Sequence, residues 1–217
     1  MKKINFLLLI ALACQSVFAQ PKATKKKIET QKPPEVVAKP VEAESVVINP
    51  GALTPEMKVM MAYATPGKMH EMLSEYDGDW KEDVTFWMDA GAPPMQNTST
   101  CSNNMIMEGR YQESRHIAMM NNMPFEGTGL LGYDNAKKVF VSTWVDNMGT
   151  GITYMVGTWD DANKTIHFTG TSVDPLSGKD LKVRQDLKFT DSNNQLLEMY
   201  TTKNGKEFKS MEIKFTR

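Results

Sequence analysis

The spacing of apolar residues changes from a helical period to an alternating one near residue 79. Thr54-Pro55-Glu56 is typical of a helix start, because a hydroxyl residue at the N-cap precedes a proline at the first helical position. Apolar residues then recur at helical spacing as far as Tyr76, with a break at Pro66-Gly67. From Asp79 onward apolar and polar residues alternate, which is typical of β-strands. The pattern predicts a short helical segment followed by strands.

The alternating part divides into about ten strands separated by turn residues. The first begins at Asp79, and the others fit near 97–107, 110–119, 125–133, 138–146, 151–159, 164–173, 180–190, 195–203 and 206–216. The breaks carry turn chemistry, as at Asp134-Asn135 and Asn204-Gly205. Consecutive hairpins form a meander, and closing the sheet removes its edges. We therefore expect a mainly β fold, a ten-stranded antiparallel meander closed into a calycin-like barrel, with an open sandwich as the alternative.

The first nineteen residues resemble a signal peptide. Lys2 and Lys3 precede an apolar run from Phe6 to Ala13, which is too short to span a bilayer. Val17-Phe18-Ala19 suits cleavage after Ala19, so residues 1–19 are predicted to be removed. Ala11-Leu12-Ala13-Cys14 offers the alternative of a lipoprotein signal, and only lipidation of Cys14 would attach the protein to a membrane. Both interpretations predict export to the periplasm or the extracellular space.

Residues 20–50 have the composition of a disordered linker. They contain six Lys, four Glu and five Pro but no aromatic residue, so they cannot bury enough apolar area to offset the entropy of ordering. The predicted domain is therefore residues 51–217, which hold 17 Lys and Arg against 22 Asp and Glu. This negative balance argues against nucleic acid as a partner.

The entry to the first strand suggests how the barrel would be closed. Gly78-Asp79-Trp80 resembles the Gly-x-Trp of lipocalin-like barrels, in which the tryptophan plugs the closed end beneath a basic residue of the last strand. In this chain Arg217 is in phase with the apolar residues Met211, Ile213 and Phe215 of the last predicted strand. We expect Trp80 to form the barrel floor and Arg217 to stack on it.

A longer series of motifs runs in order through the predicted domain. It consists of Gly78-Asp79-Trp80, Phe86-Trp87-Met88, Gly91-Ala92-Pro93-Pro94, Met123-Pro124-Phe125-Glu126-Gly127, Gly129-Leu130-Leu131-Gly132-Tyr133-Asp134-Asn135, Trp144-Val145-Asp146-Asn147-Met148-Gly149-Thr150-Gly151, Asp174-Pro175 with Ser177-Gly178-Lys179, and Gly205-Lys206-Glu207-Phe208. This series resembles a bacterial family of domains of unknown function, the family numbered 1579. The resemblance runs from about residue 54 to residue 217 and implies a single domain, but it supplies no activity and no catalytic residue.

The sequence predicts no metal and no cofactor. The three histidines, His70, His116 and His167, lie on separate predicted elements without ligand spacing. The 17 methionines could bind copper through their thioethers, but methionine more commonly fills irregular apolar space. Cys101 has no histidine or lysine near it in the sequence, so we expect an inert thiol and no catalytic residue.

Polar residues that share apolar strand faces are the candidates for ligand binding. Alternation places Glu82 with Trp80, Val84 and Phe86, and a few polar groups within an apolar lining form a typical small-molecule site. The predicted lining also includes Ile117, Met119, Val141 and Val145, with Thr143 between the last two. The candidate ligand-binding residues are Glu82, Tyr111, Glu113, Arg115, Trp144 and Gln185.

Three classes of function are open at this point. The first is a barrel that binds a small, largely apolar ligand whose polar or anionic head lies against Arg115. The second is a scaffold domain whose barrel is filled, with Glu82 and Arg115 forming a structural ion pair. The third is an enzyme that uses Glu82 or Glu113 as a base, but no adjacent acid–base pair can be seen in the sequence.

Overall fold

The computed structural model describes residues 53–217. The predictions about the signal peptide, Cys14 and the linker fall outside this range. Within the described residues there is no helix that is both long and apolar enough to cross a membrane.

Two short helices precede the sheet. Helix α1 spans Pro55–Ala64 and begins as predicted, because the Thr54 hydroxyl accepts a hydrogen bond of 3.3 Å from the backbone N–H of Met57. Helix α2 spans Lys68–Ser74. Helix α1 has no buried residue, whereas α2 buries His70 and Leu73. Only the second helix therefore contributes to the core.

Ten antiparallel strands follow, with bounds close to those predicted. They are β1 (Gly78–Phe86), β2 (Met95–Ile106), β3 (Tyr111–Met120), β4 (Met123–Asp134), β5 (Val139–Asp146), β6 (Thr153–Asp160), β7 (Thr165–Val173), β8 (Asp180–Asp191), β9 (Asn194–Lys203) and β10 (Lys206–Thr216). Asn204 and Gly205 have φ values of 53° and 75°, which are the left-handed angles that a tight hairpin between β9 and β10 requires.

The ten strands form a closed barrel. Each strand pairs with its neighbours in the sequence, and β1 also pairs with β10, where Val84 lies opposite Ile213. This topology confirms the ten-stranded closed meander, and the open sandwich is excluded. Every strand of the barrel has a hydrogen-bonded neighbour on each side, so the sheet has no edge strand.

The core lies at the end of the barrel where α2 packs. Leu73 of α2 is fully buried there, beneath the closed end of the barrel. The side chain of Gln112 on β3 donates hydrogen bonds to the Leu73 carbonyl (2.7 Å) and to Asp77 (3.0 Å), which tie the helix to the sheet. The large buried side chains at this end are Tyr76, Trp80, Phe140, Ile166, Phe189 and Phe215.

Trp80 and Arg217 meet at this closed end. Trp80 is 2% exposed, and its indole N–H donates to the carbonyl of Tyr76 at 3.1 Å. The guanidinium of Arg217 lies over the indole and donates to the carbonyls of Asp77 (2.7 Å) and Glu75 (3.0 Å). The contact expected from the sequence is present, and it joins the last strand to the first.

Candidate functional site

The cross-strand register determines which side chains enter the barrel. Trp80 lies opposite Cys101, and Cys101 lies opposite His116. Directly paired residues point to the same side of a sheet, so an inward Trp80 places Cys101 and His116 inside as well. All three are buried. Cys101 has no histidine near it in the sequence, and it meets His116 only through the pairing of β2 with β3.

Glu82 is the centre of a buried polar cluster. The residue is 2% exposed, and its Oε1 lies 2.8 Å from Nδ1 of His116. Its second carboxylate oxygen accepts a short hydrogen bond from the Ser99 hydroxyl. Because a carboxylate can only accept, the Nδ1–H of His116 is the donor in this pair. The inward position predicted for Glu82 is correct, but its partner is His116 rather than Arg115.

The Cys101 thiol completes the cluster. Its Sγ lies 3.6 Å from Nε2 of His116 and 3.1 Å from Oδ1 of Asn103. Glu82, His116 and Cys101 thus form a chain of carboxylate, imidazole and thiol. Burial raises the pKa of the Cys101 thiol, and the negative charges of Glu82 and Asp79 raise it further. A thiol that is 2% exposed and held protonated is a poor nucleophile, so this chain does not favour covalent catalysis.

Trp144 lies beside the cluster on the inner wall of the barrel. Its indole meets the imidazole of His116 edge to face, with ring centroids 5.0 Å apart. The indole N–H donates to Asp146 at 2.7 Å. The ring covers Gly127 of β4, where any added Cβ would collide with it. Glycine at that position therefore gives Trp144 the space to lie against the wall.

Two glutamines place further polar groups inside. Gln185 is 7% exposed, as its position between Val183 and Leu187 predicted. Gln195 is 6% exposed, and its Nε2 is buried without a hydrogen-bond partner among the described residues. Sequence reasoning missed Gln195, although it alternates in phase with Leu197 and Met199. The Nε2–H of Gln195 is therefore available to an interior partner.

Three candidate residues of β3 lie outside the barrel. Tyr111, Glu113 and Arg115 are exposed, and the Arg115 guanidinium pairs with Glu126 on the neighbouring strand, with Nε 3.1 Å from Oε1. Ile117 and Met119 share this outer face and are more than half exposed. The predicted inward placement of these residues is wrong. In this strand the polar and small residues face inward, because His116 must pair with Cys101.

The same inversion occurs in β5. Trp144 lies opposite Gly129 and Thr153 and points inward, so the residues that alternate with it, Val141, Thr143 and Val145, belong to the outer face. Val145 is 42% exposed. The predicted apolar lining on β5 is therefore wrong, whereas Trp144 itself is an interior residue.

A cleft of about 420 Å³ lies outside the barrel, between the end of α1 and the outer face of β3 to β5. Tyr111 lines this cleft and packs over Gly132, where a Cβ would lie 2.6 Å from its ring. Asn135 at its edge donates to three carbonyls at the end of α1, with the shortest bond, 2.8 Å, to Thr65. The buried polar cluster lies elsewhere, inside the barrel, so the interior is the stronger candidate site.

Burial of the inward side chains is less complete towards the end opposite α2. Several of them are half-buried there, although Met155, Val183 and Gln185 are buried. We call the half-buried group the open-end cup; it consists of Val84, Phe86, Trp144, Met199 and Met211, with Glu82 and His116 at its base. The His116 side chain is 11% exposed, so the cup reaches the polar cluster through its imidazole.

These features define a small closed antiparallel barrel with one plugged end and a buried polar cluster in its interior. The family described as "Protein of unknown function (DUF1579)" matches residues 65–217, which is more than half of the chain. The chain therefore belongs to this family, as the motif series indicated. No curated protein matches the chain.

One solved structure shares the fold, and a second similarity is weaker. The crystal structure of Rv2717c from M. tuberculosis is 12% identical, with a TM-score of 0.52, and covers 70% of this chain and 99% of its own. A redesigned β-barrel is also 12% identical, covering 70% of this chain and 98% of its own, with a TM-score of 0.36. At this level of identity the first similarity shows the barrel fold alone.

Proposed function

We propose that the barrel binds a small, largely apolar molecule in the open-end cup. The observation that carries the proposal is the convergence of half-buried apolar side chains on buried polar groups. Apolar walls with a few polar groups at the base are the usual construction of small-molecule sites. A barrel of ten strands is also wider than the eight-stranded barrel that side chains can just fill.

The polar groups select the head of the ligand. Arg115 points outward, so it cannot bind the anionic head of a ligand inside the barrel, contrary to the prediction from the sequence. The Glu82 carboxylate is already bonded to His116 and Ser99. The groups left to the ligand are the carboxamides of Gln185 and Gln195, of which Gln195 offers an unpartnered N–H. A neutral acceptor, such as a carbonyl or hydroxyl oxygen, satisfies that donor best.

Export of the protein is part of the same proposal. The n-region, the apolar run and the site after Ala19 support a role outside the cytosol, and residues 1–52 lie beyond the described structure. Intact mass measurement of the protein recovered from its producing cells would test this, with Cys14→Ser as the variant. A mass starting at Gln20 supports a soluble exported protein, and a lipid adduct that Cys14→Ser removes supports the lipoprotein alternative.

The binding test uses Nile red, a neutral apolar dye, with the full-length chain. Val84→Trp fills the cup from inside, whereas Asp83→Trp places the same ring on the outer face of the same strand. We expect the parent and Asp83→Trp to bind the dye and Val84→Trp to lose binding at least tenfold. Circular dichroism establishes that both variants are folded.

Two results would contradict the proposal. Equal binding by Val84→Trp and the parent would place the dye outside the barrel. The absence of binding by the parent, together with no copurified small molecule in native mass spectra, would favour the filled scaffold. Gln185→Leu distinguishes recognition of the polar head from contact with the apolar walls. This variant should bind a ligand with a carbonyl head more weakly than the parent does, and should bind a pure hydrocarbon probe with the same affinity.

A further inference from the structure

Cys101 and His116 present two metal-binding atoms to each other. The distance from Sγ to Nε2 is 3.6 Å. A zinc ion bound at about 2.3 Å from sulfur and about 2.0 Å from nitrogen, at the tetrahedral angle, separates those two atoms by about 3.5 Å. The two side chains are therefore already placed for one ion between them.

Glu82 prepares the histidine for this role. Its carboxylate accepts the Nδ1–H of His116 at 2.8 Å, which leaves the Nε2 lone pair directed towards Cys101. Ser99 holds the other carboxylate oxygen, so the orientation of Glu82 is fixed from a second side. A carboxylate behind the imidazole is the usual second layer of protein zinc sites, where it sets the tautomer and the ring angle.

Asn103 supplies a third donor on the same inner wall. Its Oδ1 lies 3.1 Å from the sulfur of Cys101. Its amide nitrogen donates to the carbonyl of Tyr76 at 3.1 Å, which orients the carboxamide with its oxygen towards Cys101. The fourth position of a tetrahedral ion can be taken by water from the open-end cup, which the imidazole of His116 reaches.

We propose that the barrel holds a Zn²⁺ ion between Sγ of Cys101 and Nε2 of His116, with Oδ1 of Asn103 as a third ligand and Glu82 as the positioning residue. The donor set of one sulfur, one nitrogen and one oxygen suits zinc and excludes the hard ions Mg²⁺ and Ca²⁺. A divalent ion balances one thiolate and the Glu82 carboxylate, so the buried site carries no net charge. The thiol proton leaves to solvent when the ion binds.

This site does not depend on the ligand-binding proposal. The ion would lie at the base of the cup, where one donor atom each of Glu82, Cys101 and His116 lies within 4.8 Å of the others. Nile red binding and metal binding are measured separately, so either can fail without the other.

Cobalt spectroscopy tests the site directly. The full-length chain is stripped with EDTA and titrated with Co²⁺, which takes zinc sites and gives a near-ultraviolet charge-transfer band only when a thiolate is bound. The chain has two cysteines, so the Cys14→Ser variant leaves Cys101 as its only thiol. We expect this variant to give the band with one equivalent of Co²⁺ and to lose it when one equivalent of Zn²⁺ is added.

The variants then assign the ligands. Cys101→Ser is nearly isosteric and should abolish the band and lower zinc affinity more than tenfold in calorimetry. Glu82→Gln should retain the band and lower zinc affinity about 10- to 100-fold, as expected for loss of a positioning carboxylate. His116 is followed in the Cys14→Ser protein by NMR of its imidazole nitrogens, where Nε2 should shift on zinc binding and Nδ1 should keep its proton.

The proposal is overturned if Cys14→Ser gives no charge-transfer band. It is also overturned if the band survives Cys101→Ser, or if Nε2 of His116 does not respond to zinc. None of these measurements requires a substitution of His116, so the test does not depend on whether a His116 variant folds.

Discussion

The guanidinium carbon of Arg217 lies 4.4 Å from the ring centroid of Trp80. Arg217 is the last residue of the chain, and Trp80 is the third residue of β1. The pair therefore joins the two strands whose meeting closes the barrel. The same guanidinium donates to two carbonyls between α2 and β1, so the contact also fixes the helix that covers the closed end.

Replacement of Trp80 should be among the most destabilising changes in the protein. Trp80→Ala removes a fully buried aromatic ring and should lower the free energy of unfolding by about 3–5 kcal/mol. Arg217→Ala loses a stack and two hydrogen bonds at an exposed position and should cost about 1–2 kcal/mol. Urea denaturation measures both. Lys188→Ala, an exposed change on β8, is the control and should be near neutral.

The buried pair of Glu82 and His116 should show strong coupling. His116→Phe leaves the carboxylate without its nitrogen donor and should cost about 3–5 kcal/mol in the presence of EDTA. The double variant Glu82→Leu/His116→Phe removes both polar groups and should recover part of that loss. A double-mutant cycle by urea denaturation gives the coupling energy.

His167 provides the matched control for this cycle. Its Nδ1 lies 2.6 Å from Asp186, but its side chain is 48% exposed on the outer face. His167→Phe should therefore change stability by less than about 1 kcal/mol. A similar cost for the two histidine replacements would contradict the assignment of Glu82 and His116 to a buried pair.

His70 should make stability depend on pH. Burial lowers the pKa of His70 below its ordinary value of 6.5, and the positive charge of Arg110 acts in the same direction. The backbone N–H of Gly67 donates to Nδ1 at 3.1 Å, so a proton on Nδ1 would break this bond. Because the unfolded chain takes up the proton first, the contribution of His70 is full above pH 6.5 and falls as the pH decreases below it.

The measurement compares the parent with His70→Gln by urea denaturation at several pH values. The difference in unfolding free energy should stay constant from pH 8 to about pH 7 and shrink between about pH 6.5 and 5. A difference that does not change with pH would show that His70 is protonated equally in both states.

Asn135 should control the attachment of α1. Its Nδ2 donates to the carbonyls of Ala62, Tyr63 and Thr65, at 3.4, 3.2 and 2.8 Å. Asn135→Ala should speed amide hydrogen exchange throughout α1 and leave the melting temperature nearly unchanged, because α1 has no buried residue. Asn163→Ala, in a turn where the side chain bonds only to Asp160, should leave exchange in α1 as it is in the parent.

The strands and their order in a meander could be predicted from the chain alone, and closure of the sheet was the expected arrangement. Strand positions follow from alternation and turn residues, which are local properties of the chain. The contact of Trp80 with Arg217 was predicted from the resemblance of Gly78-Asp79-Trp80 to lipocalin-like barrels, supported by the strand phase that Arg217 shares with Phe215. Glu82 and Gln185 were correctly placed inside because each alternates with apolar residues that face the core.

The inward face of β3 and of β5 could not be predicted from the sequence, because it depends on pairing across the sheet. Alternation defines two faces of a strand but does not say which one is inside. The more apolar face, which the sequence predicts to be inside, is the outer face in both strands. In β3 the apolar residues Tyr111, Ile117 and Met119 lie on the outer surface. The inner face is fixed by pairing across the sheet, from Trp80 to Cys101 to His116. The inward position of Trp80 thus determines which face of β2 and β3 lies inside the barrel, whatever the polarity of the residues on that face.

The interior cluster could not be predicted for the same reason. Glu82, Cys101 and His116 lie 15 to 34 positions apart in the chain, without a spacing that any ligand or catalytic motif would require. They meet because β1 and β3 both pair with β2 in a particular register. A shift of one residue in either pairing would turn a side chain of this cluster out of the barrel, so the site is a property of the register and not of the local sequence.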